Sequence, residues 1–350
     1  MKLDEILAGI KETDKTILSK AEDKINNKTK PLGALGVLED IAIKMSLIQQ
    51  NLNPIINKKL ICVFAGDHGI TKEGVSAFPS EVTPQMVYNF LNGGAAINVL
   101  TRHNNIDIKV VDMGVNYDFG SVKGLINKKV AKGTKNFLNE AAMSYTEAVK
   151  SIEYGFEVFT ELYNQEKIDL YGTGDMGIGN TTSSSAIISV ITGALPSETT
   201  GRGTGINDES LKVKIKIITD ALKKHNPDKN DPIDILLKVG GFEIGGIAGS
   251  ILGACYHKVP VVLDGIISTA AGLIAYSLKR EVSDYLFSGH RSVEKGQTYA
   301  LKHLNIRPLI DLDLRLGEGT GSALAMNIIE AGCKIMSEMS SFDDANVSKN

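Results

Sequence analysis

One carboxylate, Glu318, stands alone between glycines in Arg315-Leu316-Gly317-Glu318-Gly319-Thr320-Gly321. Glycine admits positive φ and lets a ligand come close to the backbone. A carboxylate facing that ligand with little water around it gains basicity, which suits it to proton abstraction. A solvated loop acid beside ordinary turn glycines is the competing reading of an isolated Gly-Glu-Gly. A second concentration lies at Gly172-Thr173-Gly174-Asp175-Met176-Gly177-Ile178-Gly179-Asn180-Thr181-Thr182, which satisfies G-x-G-x-x-G literally. A dinucleotide site would next require a strand about twenty residues on that ends in an acid. Here Leu195-Pro196-Ser197-Glu198 leads instead into another glycine loop, Gly201-Arg202-Gly203-Thr204-Gly205. Bare amides followed by Asn180 and Thr181 at a helix start suit a single phosphate, since free N–H groups and the helix dipole both favour an anion there. Ordinary capping by Asn and Thr is the alternative. Lys214, on the helix after the second loop, is either a point charge for that phosphate or a solvated helical lysine.

Three further stretches carry weaker signals. Ser76-Ala77-Phe78 with Gln85 and Met86 brings an aromatic, an amide and a thioether, a set that lines a flat ring pocket or merely packs a loop. Ser288-Gly289-His290-Arg291-Ser292 offers hydroxyl and amide donors to phosphate, or caps a helix. Asp67 and His68 could be offered as metal ligands with Asp264 and His290, but the six histidines show no paired ligand spacing. Hydrogen bonds from Asp67 and His68 to loop backbone are the favoured reading, and no metal is expected.

These groups need elements to hold them. Short apolar runs at Lys59–Ala65, Ile106–Val111, Ile168–Tyr171 and Pro260–Leu263 each end in small and polar residues, and Leu309–Leu316 alternates with period two up to the Glu318 corner. Helical patterns fill the gaps, including one that starts at Lys30-Pro31-Leu32 and one after Ser322. Alternation of this kind predicts an α/β fold, a parallel sheet flanked by helices in three Rossmann-like layers. Residues 59–329 form its body, and the helical segments 1–58 and 330–350 form a smaller domain. The tail from Ser340 to Asn350 is polar and expected to fray. A net charge of -3 gives no reason to expect nucleic acid or an anionic membrane as partner. The apolar region Ile244–Tyr276 is broken by Tyr256-His257-Lys258 and Asp264, so no membrane span is expected. The cysteines, Cys62, Cys255 and Cys333, sit in apolar surroundings and fit buried thiols in the cytoplasm.

Taken in order, Phe64-Ala-Gly-Asp-His-Gly69, Gly74-Val-Ser-Ala-Phe-Pro79, Gly174-Asp-Met-Gly-Ile-Gly-Asn-Thr-Thr182, Lys238-Val-Gly-Gly-Phe-Glu-Ile244, Val262-Leu-Asp-Gly265 and Arg315-Leu-Gly-Glu-Gly319 resemble the nicotinate-nucleotide:dimethylbenzimidazole phosphoribosyltransferases, which activate the lower base of cobalamin. The resemblance runs from about Pro31 to Met336. It implies transfer of the 5-phosphoribosyl group of nicotinate mononucleotide to an aromatic base, with inversion at C1', by a homodimer that uses no cofactor. It also implies that Glu318 is the base that takes the ring proton, with Asp175 and Lys214 near the donor ribose and phosphate. Gly177, Asn180, Thr181, Gly203 and Ser292 match phosphate-side positions, while Leu316, Phe78 and Met86 match the base pocket near Ser76 and Gln85. Many members carry Glu where this chain has the shorter Asp175, which predicts a contact through water. Some relatives carry hydrogen-bonding residues at Phe78 and Met86, and the less polar pocket leaves purines, benzimidazoles and phenols open as the base. Magnesium dependence is not expected, because Val261-Val-Leu-Asp264 ends in one acid where pyrophosphate-dependent relatives place two. A nucleotide-binding protein without chemistry and a nicotinamide dehydrogenase are the competing classes.

Overall fold

The computed structural model describes residues 1–348, so Lys349 and Asn350, at the end of the expected helical unit and polar tail, lie outside the described residues. Seven parallel strands form one sheet in the order β3-β2-β1-β4-β5-β6-β7. They are β1 (Lys59–Gly66), β2 (Asp107–Gly114), β3 (Leu125–Asn127), β4 (Leu170–Met176), β5 (Val261–Leu263), β6 (Leu286–His290) and β7 (Pro308–Ile310). Every residue of β1 is buried, as expected of a central parallel strand covered on both faces. Ile61 packs toward Ser322 and Met326 of the helix Thr320–Glu338, whereas Phe64 packs toward Gly246 of the helix Phe242–Tyr256. Side chains alternate along a strand, so these two helices cover opposite faces of the sheet.

The chain winds outward from β1 through β2 and β3, then returns to the other side of β1 with β4. Strand order therefore reverses between β1 and β4, and the crevice beyond their carboxyl ends is where such sheets receive ligands. Gly177 stands in that crevice, where a β-carbon would lie 2.3 Å from the carbonyl oxygen of Gly66.

Three strands expected from the sequence differ in extent, β2 by running on from Val111 to Gly114, and two were not expected. Period-two alternation predicted a strand from Leu309 to Leu316, but β7 stops at Ile310. β7 is an edge strand with one neighbour, and Asp313 adopts a left-handed φ of 53° that ends the extended run. Leu312 and Leu316 are both 57% exposed, so their alternation buries neither of them. β4 continues to Met176 and takes the glycines of the first loop, and Asp175, into the sheet. β3 and β6 are new, and β6 makes Ser288–His290 a strand end in place of the helix cap considered for it. The turn Pro31–Gly36 also precedes its helix, which starts at Val37.

The terminal segments meet. Lys28 bridges Ser341, and the N–H groups of Thr29 and Phe342 donate to the carbonyls of Ser340 and Asn27. Ala21, Ile25, Ala42 and Met336 form a small apolar cluster there, while Ile6, Ile10, Ile41 and Met45 join the main core. No helix among the described residues is long and apolar enough to cross a membrane.

Candidate active site

A cavity of about 680 Å³ opens at the carboxyl ends of β4, β5 and β6. That volume suits a small molecule of nucleotide size. Its walls come from the loop after β1, the β4 loop and helix start, the second glycine loop, the ends of β5 and β6, and residues 313–318.

Glu318 sits on one wall with a φ of 64°, between Gly317 at 80° and Gly319 at 97°. Three successive left-handed residues make a bend that only glycine neighbours tolerate without strain. Gly319 caps the helix Thr320–Glu338, so the expected corner is present although no strand feeds it. Glu318 is buried, and its Oε2 accepts a 3.1 Å hydrogen bond from the N–H of Ile97 in the first turn of the helix Ala96–His103. Burial raises its pKa; the Ile97 N–H partly opposes this, and the charge of Asp264 adds to the rise.

Asp264 fixes the bend from beneath. Its Oδ2 accepts from Gly319 N–H at 3.1 Å, and its Oδ1 accepts from Gly321 and Ser322 N–H at 2.7 and 3.2 Å. The carboxylate at the end of β5 thus satisfies amides at the start of a helix some 55 residues later. No local sequence signal links Asp264 to Gly319.

The bend packs on the glycine loop of β4. A β-carbon at Gly174 would stand 2.4 Å from the Glu318 carbonyl oxygen, and one at Gly317 would stand 3.1 Å from Asp175 Oδ2. Asp175 is buried; its Oδ2 accepts from Asn180 Nδ2 at 3.0 Å and its Oδ1 has no partner. Burial, followed by the charges of Asp264 and Glu243, pushes its pKa well above the ordinary aspartate value.

On the opposite side, Gly177, Asn180 and Thr181 line the cavity at the start of the helix Asn180–Thr192. Lys214 is fully buried behind them and does not line the cavity; its Nζ donates to Thr181 Oγ1 at 2.7 Å. Desolvation lowers its pKa to about 8, against a smaller opposing pull from Glu294. Glu294, which the sequence did not single out, is buried and accepts from Gly203 N–H at 2.8 Å. Ser292 lines the cavity nearby, its N–H bonded to Gln297 Oε1. Ser76 Oγ lies 3.2 Å from Thr204 Oγ1, which ties the loop after β1 to the second glycine loop.

Phe78, Met86 and Leu316 line the apolar end, Phe78 and Leu316 more than half exposed. Gln85, one position before Met86 on the helix Val82–Leu91, is exposed and is not among the lining residues. Asp67 Oδ2 accepts from the loop N–H of Asn116 at 2.7 Å, as expected, but His68 does not bond to loop backbone through its ring. Its nitrogens meet Ser183 Oγ at 3.0 Å and Glu243 Oε1 at 2.6 Å, a buried link between β1 and two helices.

A phosphoribosyltransferase family model matches residues 10–347. The nicotinate-nucleotide–dimethylbenzimidazole phosphoribosyltransferase of Citrifermentans bemidjiense is 52% identical over 345 residues, covering 99% of this chain and 98% of that protein. Its namesake in Geobacter sulfurreducens is 52% identical over 347 residues, with the same coverage. The crystal structure of CobT from Thermus thermophilus matches with a TM-score of 0.92 at 39% identity, over 95% of this chain and 99% of that one.

Proposed function

The chain belongs to the nicotinate-nucleotide–dimethylbenzimidazole phosphoribosyltransferase family, and from that premise we propose how its cavity divides the work. The enzyme transfers the phosphoribosyl group of nicotinate mononucleotide to dimethylbenzimidazole in assembly of the cobalamin lower ligand. One ring nitrogen of the base bonds to C1' as the nicotinate nitrogen leaves with the bonding pair, and attack from the opposite face turns the β-linked donor into α-ribazole 5'-phosphate. The proton on the other ring nitrogen goes to Glu318.

A raised pKa makes Glu318 a stronger proton acceptor than a solvated glutamate, and the Ile97 N–H keeps its anion within reach. Gly177, Asn180, Thr181, Gly203 and Ser292 hold the phosphate, with Lys214 supplying positive charge through Thr181. Asp175, whose proton burial holds more tightly than usual, lies near the donor ribose. Phe78, Met86 and Leu316 flank the flat base, with Ser76 bracing their loop. The observation that carries this assignment is the placement of the Glu318 bend against Gly174 and Asp175, in one cavity with the helix start at Asn180.

We also infer a homodimer, supported by Leu312, Leu316 and Val293, which expose apolar surface beside the cavity. A cytoplasmic location is supported by three buried, free thiols. A small helical unit of residues 1–58 and 330–350 beside a 59–329 body is supported by the backbone bonds between residues 27–29 and 340–342.

The test supplies nicotinate mononucleotide and dimethylbenzimidazole and follows nicotinate release. No release with any aromatic base rejects the catalytic assignment of this cavity. Glu318→Gln should bind the donor normally and turn over roughly 10²-fold more slowly; turnover like the wild type would remove Glu318 from the mechanism.

A further inference from the structure

Among the described residues that line the cavity stand four acids, Asp175, Glu294, Asp313 and Glu318, and one residue of the lysine or arginine type, Arg315. A phosphate monoester brings about −1.5 to −2 charges at neutral pH. An anion that leaves water for such a wall needs a cation in contact with it. Lys214 cannot make that contact, since it is fully buried, lies behind the wall and has its Nζ on Thr181 Oγ1.

Arg315 can. It is exposed in the cavity wall, and its Nη1 stands 3.5 Å from the carbonyl oxygen of Gly203, too far to occupy the guanidinium. The arginine ion pairs among the described residues are those of Arg202 and Arg291. Three of the four wall acids are bonded elsewhere, Asp175 to Asn180, Glu294 to the Gly203 N–H and Glu318 to the Ile97 N–H.

Gly203 ties this guanidinium to the phosphate side. A β-carbon there would lie 2.7 Å from Thr181 Oγ1 and 3.3 Å from Lys214 Nζ, so Thr181 and Arg315 flank one glycine. Glu294 meets the same residue through its N–H and adds a negative charge that an incoming phosphate must face. A guanidinium beside that loop offsets it.

We propose that Arg315 grips the phosphate of the nucleotide donor, as the cation that touches it, while Lys214 acts from behind Thr181. The planar fork of the guanidinium can give two parallel hydrogen bonds to phosphate oxygens. Arg315 stands three residues before Glu318, so the segment that carries the proton acceptor also fastens the donor. The assignment rests on the transferase reading of this cavity.

The test measures binding of three ligands to the wild type, Arg315→Gln and Arg315→Lys. They are nicotinate mononucleotide, nicotinate riboside, which lacks the phosphate, and nicotinamide mononucleotide, which keeps the phosphate and lacks the carboxylate. Arg315→Gln should weaken both mononucleotides roughly ten- to hundredfold, as loss of charge-assisted hydrogen bonds does, and leave the riboside within about twofold. Arg315→Lys keeps the charge without the fork and should recover part of the loss. Unchanged affinity of folded Arg315→Gln for nicotinate mononucleotide overturns the proposal. So does equal weakening of all three ligands, which would make Arg315 a residue that shapes the wall, or weakening confined to the two ligands with a carboxylate, which would place it on the nicotinate ring. Failure of wild type to bind nicotinate mononucleotide at all would instead sink the transferase reading, and this proposal with it.

Discussion

Two glycine-rich regions of this chain use glycine for opposite purposes. In the helix Phe242–Tyr256, packed against Tyr145–Gln165, glycine lets two backbones touch: a β-carbon at Gly249 would lie 1.9 Å from the Ile152 carbonyl oxygen. Apart from Glu243 and Ser250, the buried residues of this helix are apolar or glycine. In the bend at Glu318, glycine permits left-handed backbone, and around it sit Asp175 and His290 with unpaired atoms, and Glu318 with a shifted pKa. The first region supplies stability and the second consumes some of it to hold a reactive geometry.

Substituting glycine in each region should separate these roles most sharply. Gly249→Ala pushes a methyl into backbone and should destabilise by about 3 kcal/mol, while turnover per folded molecule stays near that of the wild type. Gly317→Ala meets a φ of 80° and should lose only about 1–2 kcal/mol of stability. A displaced carboxylate should nevertheless slow its turnover roughly a hundredfold. Chemical denaturation and nicotinate-release assays on the same samples check both, and equal losses of turnover would erase the distinction between the regions.

The rate profile with pH sharpens the contrast next, because Glu318 and Lys214 at the site are both shifted toward neutrality. Glu318 must be ionised to accept a proton, so kcat/KM should fall on acidification through a pKa above the ordinary glutamate range. Lys214 loses its charge as pH rises through about 8, so donor capture should weaken above that point. Gly249→Ala should leave both limbs in place, and a profile flat from pH 5 to 9 would contradict both assignments.

The smallest effect concerns Asp175. Its folded pKa is raised, so the folded state holds its proton more tightly than the unfolded chain. It therefore costs stability progressively as pH rises above the unfolded value. Asp175→Asn removes that cost and should stabilise by about 1 kcal/mol at pH 7, with a smaller gain at pH 5. Thermal unfolding at the two pH values decides this, and a gain that does not grow with pH would mean the pKa of Asp175 is not raised.

The cavity lining was largely legible wherever its signals are local. The glycine-flanked carboxylate and the Gly-Asn-Thr helix start signal themselves through neighbours in the chain, and both line the cavity. Alternation of apolar runs with helices announced the parallel sheet. What stayed hidden depends on distant pairs. Asp264 has no sequence feature that ties it to Gly319, and the Ser183–His68–Glu243 link joins three elements far apart in the chain. β6, Leu-Phe-Ser-Gly-His, is too polar at its end to read as a strand, so Glu294 had no frame to stand in. Leu309–Leu316 misled for the opposite reason, since its pattern is that of a strand but only its first residues find a neighbour.

Because Glu318, the proposed base, is aimed by the left-handed triplet at 317–319 and by amides bound to Asp264, its aim does not depend on the loop side chains Phe78 and Leu316. Those walls can change shape to admit a different aromatic acceptor without disturbing proton transfer. A scaffold of this kind can diversify its choice of acceptor by drift in surface loops while the reaction itself is inherited unchanged.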